Sequence, residues 1–490
     1  MNREGTGFRR ELGLFDATML VVGSMIGSGI FIVSADIARM VGGGGYLLGV
    51  WLVAALLTLS AALSYGELAA LFPRAGGQYV YLREAYSPLL GFLYGWTLFL
   101  VIQTGSIAAV AVAFAKFTAV LVPWFSEENV LVSVGGWSVN AGQLLAIASI
   151  AVLTLLNLRG IRVGKLVQDT FTVTKTVALL GLIVLGLTIG LNADSIARNL
   201  ATFWDAQRLL PTPEGGWQPI RLEGLELLAA FGAAMVGALF ALDAWNNVTF
   251  AAGEVVEPQR TIPRSMALGV LVVAALYLLA NLAYLAVLPL RGNPEGVGVF
   301  ERGIQFAALD RVGTAVAEAM FGPFGAVVMA LLVMVSTFGC NNGLILSGAR
   351  VYYAMAQDGL FFGSVGQLNR YAVPGVALVL QGVWASVLCL SGRYEDLLDY
   401  IVAAVLLFYI LTIAGIFRLR RKMPTAERLY RAPLYPVLPL LYILVAAAIV
   451  LDLLLVKPRY TLAGLLIVLT GVLVYALWQW RRQRNRSTAG

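Results

Sequence analysis

Two stretches of the chain hold residues whose types and spacing suit ligand chemistry. The first is Gly23-Ser24-Met25-Ile26-Gly27-Ser28-Gly29-Ile30-Phe31. Each glycine weakens a helix by about 1 kcal/mol, so a helix here is expected to unwind near residues 25–28. Its second half would begin near Gly29 with unpaired N–H groups and the positive end of the helix dipole, which suits a carboxylate. Glycine lets a ligand approach the backbone, and the Ser28 hydroxyl adds a donor. Close packing is the competing explanation, since Gly23 and Gly27 also form a GxxxG face. The second stretch, Phe240-Ala241-Leu242-Asp243-Ala244-Trp245-Asn246-Asn247, puts an acid, an indole and two amides within an apolar run. An Asp at mid-membrane costs roughly 2.5–3.5 kcal/mol, so a role is expected of it. The first halves of both helices would end near Met25 and Phe240 with free carbonyls, which suit an ammonium. A site with both features binds a zwitterion, the description of an α-amino acid.

Lys175 is a third such residue. It lies deep inside an apolar run and needs buried partners. Its ammonium either makes a structural contact, such as a pair with Asp243, or occupies a place where a transporter holds a sodium ion. Ser336 and Thr337 are the expected neighbours. Glu67 beside Arg74 and Glu254 beside Arg260 read as salt bridges or gates at helix ends, and Asp452, near Lys457, as interfacial.

The elements that must position these groups follow from composition. Of 490 residues, 59% are hydrophobic and 12% charged, and mean hydropathy is +0.83. A soluble domain carries about 25% charged residues, so the class is a polytopic, all-α membrane protein. Twelve apolar stretches are expected to span, near 14–41, 47–72, 89–121, 141–158, 166–191, 226–252, 264–289, 322–356, 374–391, 397–418, 434–456 and 461–480. The polar segment before them lacks the apolar run of a signal peptide.

Most of the 34 lysines and arginines fall on one side of these stretches, among them Arg3, Arg9, Arg10, Arg74, Arg83, Arg260, Arg350 and the cluster from Arg418 to Arg431. That side is expected to be cytoplasmic, with both termini. The net charge of +7 is thus a topology signal and not a nucleic-acid footprint. Histidine is absent and the only cysteines, Cys340 and Cys389, sit in apolar runs, so neither metal site, cofactor nor disulfide framework is indicated. The long loops at 192–225 and 290–321 lie on the other side. Residues 300–320 have the spacing of a short amphipathic helix, as a lid or as a helix lying on the surface.

Spans 1 and 6 are five apart and run oppositely. Interrupted helices at corresponding places in two inverted halves point to the central site of a transporter.

The 23–31 segment resembles the first-helix signature of the amino acid–polyamine–organocation transporters. Further matches resemble the L-type amino acid transporters. They are Ser64-Tyr65-Gly66-Glu67-Leu68 with Pro73-Arg74-Ala75-Gly76-Gly77, Val167-Gln168-Asp169-Thr170-Phe171-Thr172 leading to Lys175, and Ala244-Trp245-Asn246-Asn247. Gly253-Glu254 with Glu257-Pro258-Gln259-Arg260 and Ile262-Pro263-Arg264, Ser336-Thr337-Phe338-Gly339 with Asn342-Gly343, and Arg431-Ala432-Pro433 follow in order.

The resemblance implies one permease domain over 1–490. It would comprise a five-plus-five inverted repeat, at about 14–191 and 226–418, with helices 1 and 6 discontinuous, and two further helices at about 434–480. It implies that Gly27, Ser28 and Gly29 bind the substrate carboxylate, and that carbonyls of Met25, Phe240 and Asp243 bind its amino group. Phe240 would gate the site, Asn246 would join it, and Lys175, beside Gly23, Ser336 and Thr337, would replace a sodium ion. Animal members join a heavy chain through a cysteine in the loop after span 3. Residues 122–140 contain none, so no disulfide-linked heavy chain is expected. Asp243 replaces a glycine of some animal members, whereas similar acids occur in bacterial serine/threonine exchangers.

The expected function is sodium-independent exchange of neutral L-amino acids across the cell membrane, in contact with lipid and amino acid but no nucleic acid. Proton-coupled uptake, including that of cationic amino acids, is the alternative. A channel is a different class, and no filter motif or ring of like charges is visible. No enzyme is indicated.

Overall fold

The computed structural model describes residues 8–134, 137–212, 216–390, 394–456 and 458–487. Arg3 of the charge pattern, and Lys457, lie outside them. Every one of the twelve apolar stretches carries helix. Among the described residues nine helices are long and apolar enough to cross a membrane, or ten if one bent pair counts as a span. The protein is therefore a polytopic, all-α membrane protein.

The first stretch is that bent pair. Helix α1 (Leu14–Met25) begins where the Gly13 N–H donates to the Asp16 carboxylate at 2.7 Å. It stops because Ile26 takes an extended conformation, and α2 (Gly29–Val41) starts after Ser28, at 41° to α1. Gly42, at φ +62°, closes α2 in the left-handed conformation that favours glycine. Helix α3 (Gly44–Leu71) runs without a break, and α4 (Gln78–Ala85) follows it and packs on the helices at 88–97 and 394–422. The third stretch joins α5 (Pro88–Thr97) to α6 (Gln103–Leu121) through a wide turn. Helix α7 (Ala141–Asn157) opens on a capping box in which Asn140 and Gln143 exchange hydrogen bonds of 2.8 and 2.9 Å. Lys175 lies in α8 (Ile161–Gly186), and a short α9 (Ala193–Ala201) follows.

The sixth stretch breaks as the first does. Helix α10 (Gly224–Ala241) gives way to an irregular turn in which Ala244 adopts φ +66°, and a single turn, α11 (Asn247–Phe250), resumes. Helix α12 (Pro258–Val287) starts on a proline, whose missing N–H would be unpaired there in any case.

The amphipathic helix expected at 300–320 is not one element. It is a four-residue helix α13 (Val299–Arg302), a turn in which Leu309 and Asp310 take positive φ, and the first residues of α14 (Val312–Gln357). Gly322 (φ +64°), followed by Pro323, kinks α14 and lets it turn into the bundle. Helices α15 (Gly375–Cys389), α16 (Tyr394–Lys422), α17 (Val437–Val456) and α18 (Pro458–Ser487) complete the chain. Two hairpins, β1–β2 (Val130–Val134, Trp137–Asn140) and β3–β4 (Gln207–Pro211, Trp217–Arg221), occupy loops with no strand expected from the sequence.

Helix α1 packs on α8, α12 and α14, and α10 packs on α2, α3 and α17, so the two breaks face each other at the centre. Asp452 turns toward Gly232 of α10; Lys457, its expected neighbour, is not described. At the arginine-rich end, residues 8–12 are stitched to the segment between α11 and α12. The Glu11 and Leu12 N–H groups donate to Glu254 O at 2.9 Å, and the Val256 N–H donates to Leu12 O at 2.9 Å. The Phe8 ring meets Tyr353 edge-on at 4.9 Å.

Candidate functional site

The break between α1 and α2 leaves main-chain carbonyls without helical partners, and side chains from three other helices serve them. The Lys175 ammonium donates to Gly23 O and Ile26 O, both at 2.5 Å, and to Ser336 O at 3.4 Å. The Ser336 hydroxyl donates to Gly27 O at 3.0 Å. Tyr277 of α12 donates to Met25 O at 3.0 Å, and the Cys340 thiol donates to Ser24 O at 3.0 Å. Lys175 therefore ties α1 to α8 and α14, with Gly23 and Ser336 as expected. It does not pair with Asp243. The Thr337 hydroxyl donates to Val333 O within its own helix, at 2.8 Å.

The other side of the break borders a cavity. Ser24, Met25, Gly27, Ser28 and Gly29 line it from span 1, Phe240, Asp243 and Ala244 from span 6, and Ser106 and Cys340 from α6 and α14. The first N–H groups of α2 have no carbonyl one turn earlier, because the helix starts there. The structure thus brings the glycine run, Phe240 and Asp243 to one cavity. Ser24 was missed by sequence reasoning: its buried hydroxyl has no partner and borders the same space. Only the depth of Ser24 in an apolar run could have marked it.

Gly29 has a second role. A Cβ there would stand 2.6 Å from Ala241 Cβ, so the close crossing of α2 and α10 requires glycine. Close packing therefore constrains the glycine run at Gly29.

Asp243 is held by another donor than Lys175. Tyr409 of α16 donates its hydroxyl to Asp243 Oδ1 at 2.5 Å. The Tyr409 ring lies 5.3 Å from Trp245 and 5.7 Å from Tyr65, and Tyr65 meets Trp245 edge-on at 4.8 Å. This aromatic cluster fixes the irregular turn of span 6 against spans 2 and 10. Asn246 donates to Gln78 Oε1 at 3.1 Å, and Gln78 donates to the Thr412 hydroxyl at 3.0 Å.

The acids at the arginine-rich end have distant partners, not the arginines nearest in sequence. Glu67 accepts from Arg420 at 2.7 and 2.9 Å, lies 3.2 Å from Arg428, and also accepts from the Ala432 N–H. Glu254 makes a bidentate pair with Arg350 at 3.0 and 3.1 Å, both side chains 1% exposed. Arg74 stands 4.0 Å from Glu84 instead. Tyr79 donates to Asp358, and burial pushes its hydroxyl well above the usual phenol range, so it stays a donor.

The family model described as "Amino acid permease" matches residues 12–477. The serine/threonine exchanger SteT of Bacillus subtilis is 28% identical over 446 residues, covering 90% of this chain and 91% of that protein. The human b(0,+)-type amino acid transporter 1 is 27% identical, covering 96% and 88%. The human large neutral amino acids transporter small subunit 2 is 29% identical, covering 97% and 82%. With a broken first and sixth stretch meeting at a central cavity, and a family match over nearly its whole length, the chain belongs to the amino acid permeases of the amino acid–polyamine–organocation superfamily and is a transporter, not an enzyme.

Proposed function

We infer that the protein exchanges neutral L-amino acids across the cell membrane by alternating access and without sodium. The observation that carries this is the Lys175 ammonium, bonded to Gly23 O, Ile26 O and Ser336 O. A fixed positive charge on the carbonyls of two helices does the work of a bound cation, and it leaves no coupling ion to bind. On the cavity side, Gly27, Ser28 and Gly29 receive the substrate carboxylate at the start of α2. Carbonyls of Met25, Phe240 and Asp243 receive its ammonium, and Phe240 covers it. Met25 O is shared with Tyr277, which a carbonyl's two lone pairs allow.

The proposed architecture is twelve crossings, with two inverted five-helix halves followed by two helices. The arginine-rich end and both termini are cytoplasmic. The chain acts without a disulfide-linked heavy chain. The Asp243 carboxylate braces the turn through Tyr409 and so favours neutral substrates.

Counterflow in proteoliposomes tests this reading. Labelled amino acid uptake should rise when unlabelled amino acid is loaded inside and should not change when sodium replaces potassium. Uptake that needs a sodium or proton gradient and ignores the internal amino acid would refute exchange.

A further inference from the structure

The cavity at the α1–α2 break continues toward the arginine-rich end. A second space shares Ser106, Asp243, Ala244 and Leu344 with it. Among the described residues its polar donors are accounted for within the protein, with two exceptions, the Tyr94 hydroxyl and the Asn247 amide. Gln78 donates to Thr412, Gln103 to Leu344 O at 2.8 Å, Ser106 to Ile102 O at 2.7 Å and Asn246 to Gln78. The Asn247 Nδ2 has no partner, although the residue is only 2% exposed. A buried amide left without an acceptor is costly, so its place in the wall of this space calls for a ligand atom. The Asp243 carboxylate, an acceptor, lines the same space.

We propose that this second space is a side-chain subsite in which Asn247 selects short, uncharged substrates carrying a hydroxyl or carboxamide. The inference rests on the amino acid reading of the first cavity. With the carboxylate and ammonium held at the breaks of spans 1 and 6, the side chain has the adjoining space to enter. A group that is donor and acceptor at once satisfies both walls: its O–H or N–H donates to Asp243, and its oxygen accepts from Asn247 Nδ2. An apolar side chain of the same shape leaves Asn247 unpaired. A site built to hydrogen-bond a substrate group rejects the analogue lacking it far more strongly than a site that reads size alone.

Threonine and valine are near-isosteres and provide the probe. Purified full-length protein is reconstituted, and unlabelled L-threonine and L-valine compete with uptake of labelled L-alanine. Threonine should compete at least about tenfold better than valine. In Asn247→Leu, which keeps the branched shape and removes the donor, this ratio should collapse toward unity. A ratio taken within one preparation cancels losses of folded protein, and Asn247→Ala provides a second reading. Equal competition in the native protein, or a preference kept in both variants, overturns the subsite. If neither of these compounds nor unlabelled L-alanine alters uptake, it is the amino acid reading of the first cavity that fails.

Discussion

Gly29→Ala separates the two demands on the glycine run. The added methyl would stand 2.6 Å from Ala241 Cβ and 2.9 Å from Ala241 Cα, whereas ordinary contact begins at 3.4 Å. Helices α2 and α10 must therefore part by roughly 1 Å, and such overpacking costs about 1–3 kcal/mol. Replacing glycine in a helix returns up to about 1 kcal/mol, so the net loss of stability is small. The cost falls on geometry, because these two helices both line the cavity, and a misplacement of about 1 Å can reduce rate about a hundredfold. Initial uptake should fall by about ten- to a hundredfold while the amount of protein in the membrane holds.

Ala241→Gly removes the atom that the new methyl strikes most closely. The double variant Gly29→Ala/Ala241→Gly should regain at least half of the loss on a logarithmic scale, a coupling of about 1 kcal/mol or more. The residual 2.9 Å contact with the Ala241 backbone prevents full recovery. If the double variant is no better than the product of the single ones, the steric argument is wrong, and Gly29 matters only for the ligand.

Lys175→Met removes the donor for Gly23 O, one of two donors for Ile26 O, and the donor that Ser336 O has beyond its helical partner. At about 1–3 kcal/mol for each acceptor left buried, transport should be lost and thermal stability in detergent should drop; an unchanged unfolding temperature would contradict the bonding described. Tyr409→Phe takes away the hydrogen bond to Asp243 but keeps the ring contacts with Trp245 and Tyr65. Uptake should slow several-fold without a switch to lysine or arginine as the best competitor, and such a switch would refute bracing. Glu254→Gln should cost about 3–5 kcal/mol by leaving Arg350 buried and unpaired, and the paired change Glu254→Gln/Arg350→Met should restore much of it; equal damage from both would argue against the pair.

The breaks in spans 1 and 6 are legible in the sequence because glycine and mid-membrane polar residues change local helix energetics. The breaks fall where expected, at residues 26–28 and 242–246. The partners of the charged groups are not legible. Glu67 lies near Arg74 in sequence but pairs with Arg420, 353 positions away, and Asp243 meets Tyr409 across 166 positions. Sequence proximity favours neighbours on one helix, whereas a buried acid takes whichever donor the packing of several helices delivers. Lys175 is the instructive middle case. Its depth announces buried acceptors, and the break in span 1 identifies where spare carbonyls exist. The capping of Met25 O by Tyr277 and of Ser24 O by Cys340 leaves no mark in composition, since both residues read as ordinary members of apolar runs.

The seam between residues 8–12 and the stretch around Glu254 makes the amino-terminal strand a passenger of span 6. Its main-chain bonds to Glu254 and Val256, and the contact of Phe8 with Tyr353, bridge the segment after α11 and the end of α14. A swing of the lower half of span 6 that faces the cavity toward this side must either carry the strand along or tear it loose. A dye at residue 8 would therefore act as a dial for the carrier's position, and a bulky fusion placed just before it would load the moving part like a weight on a door.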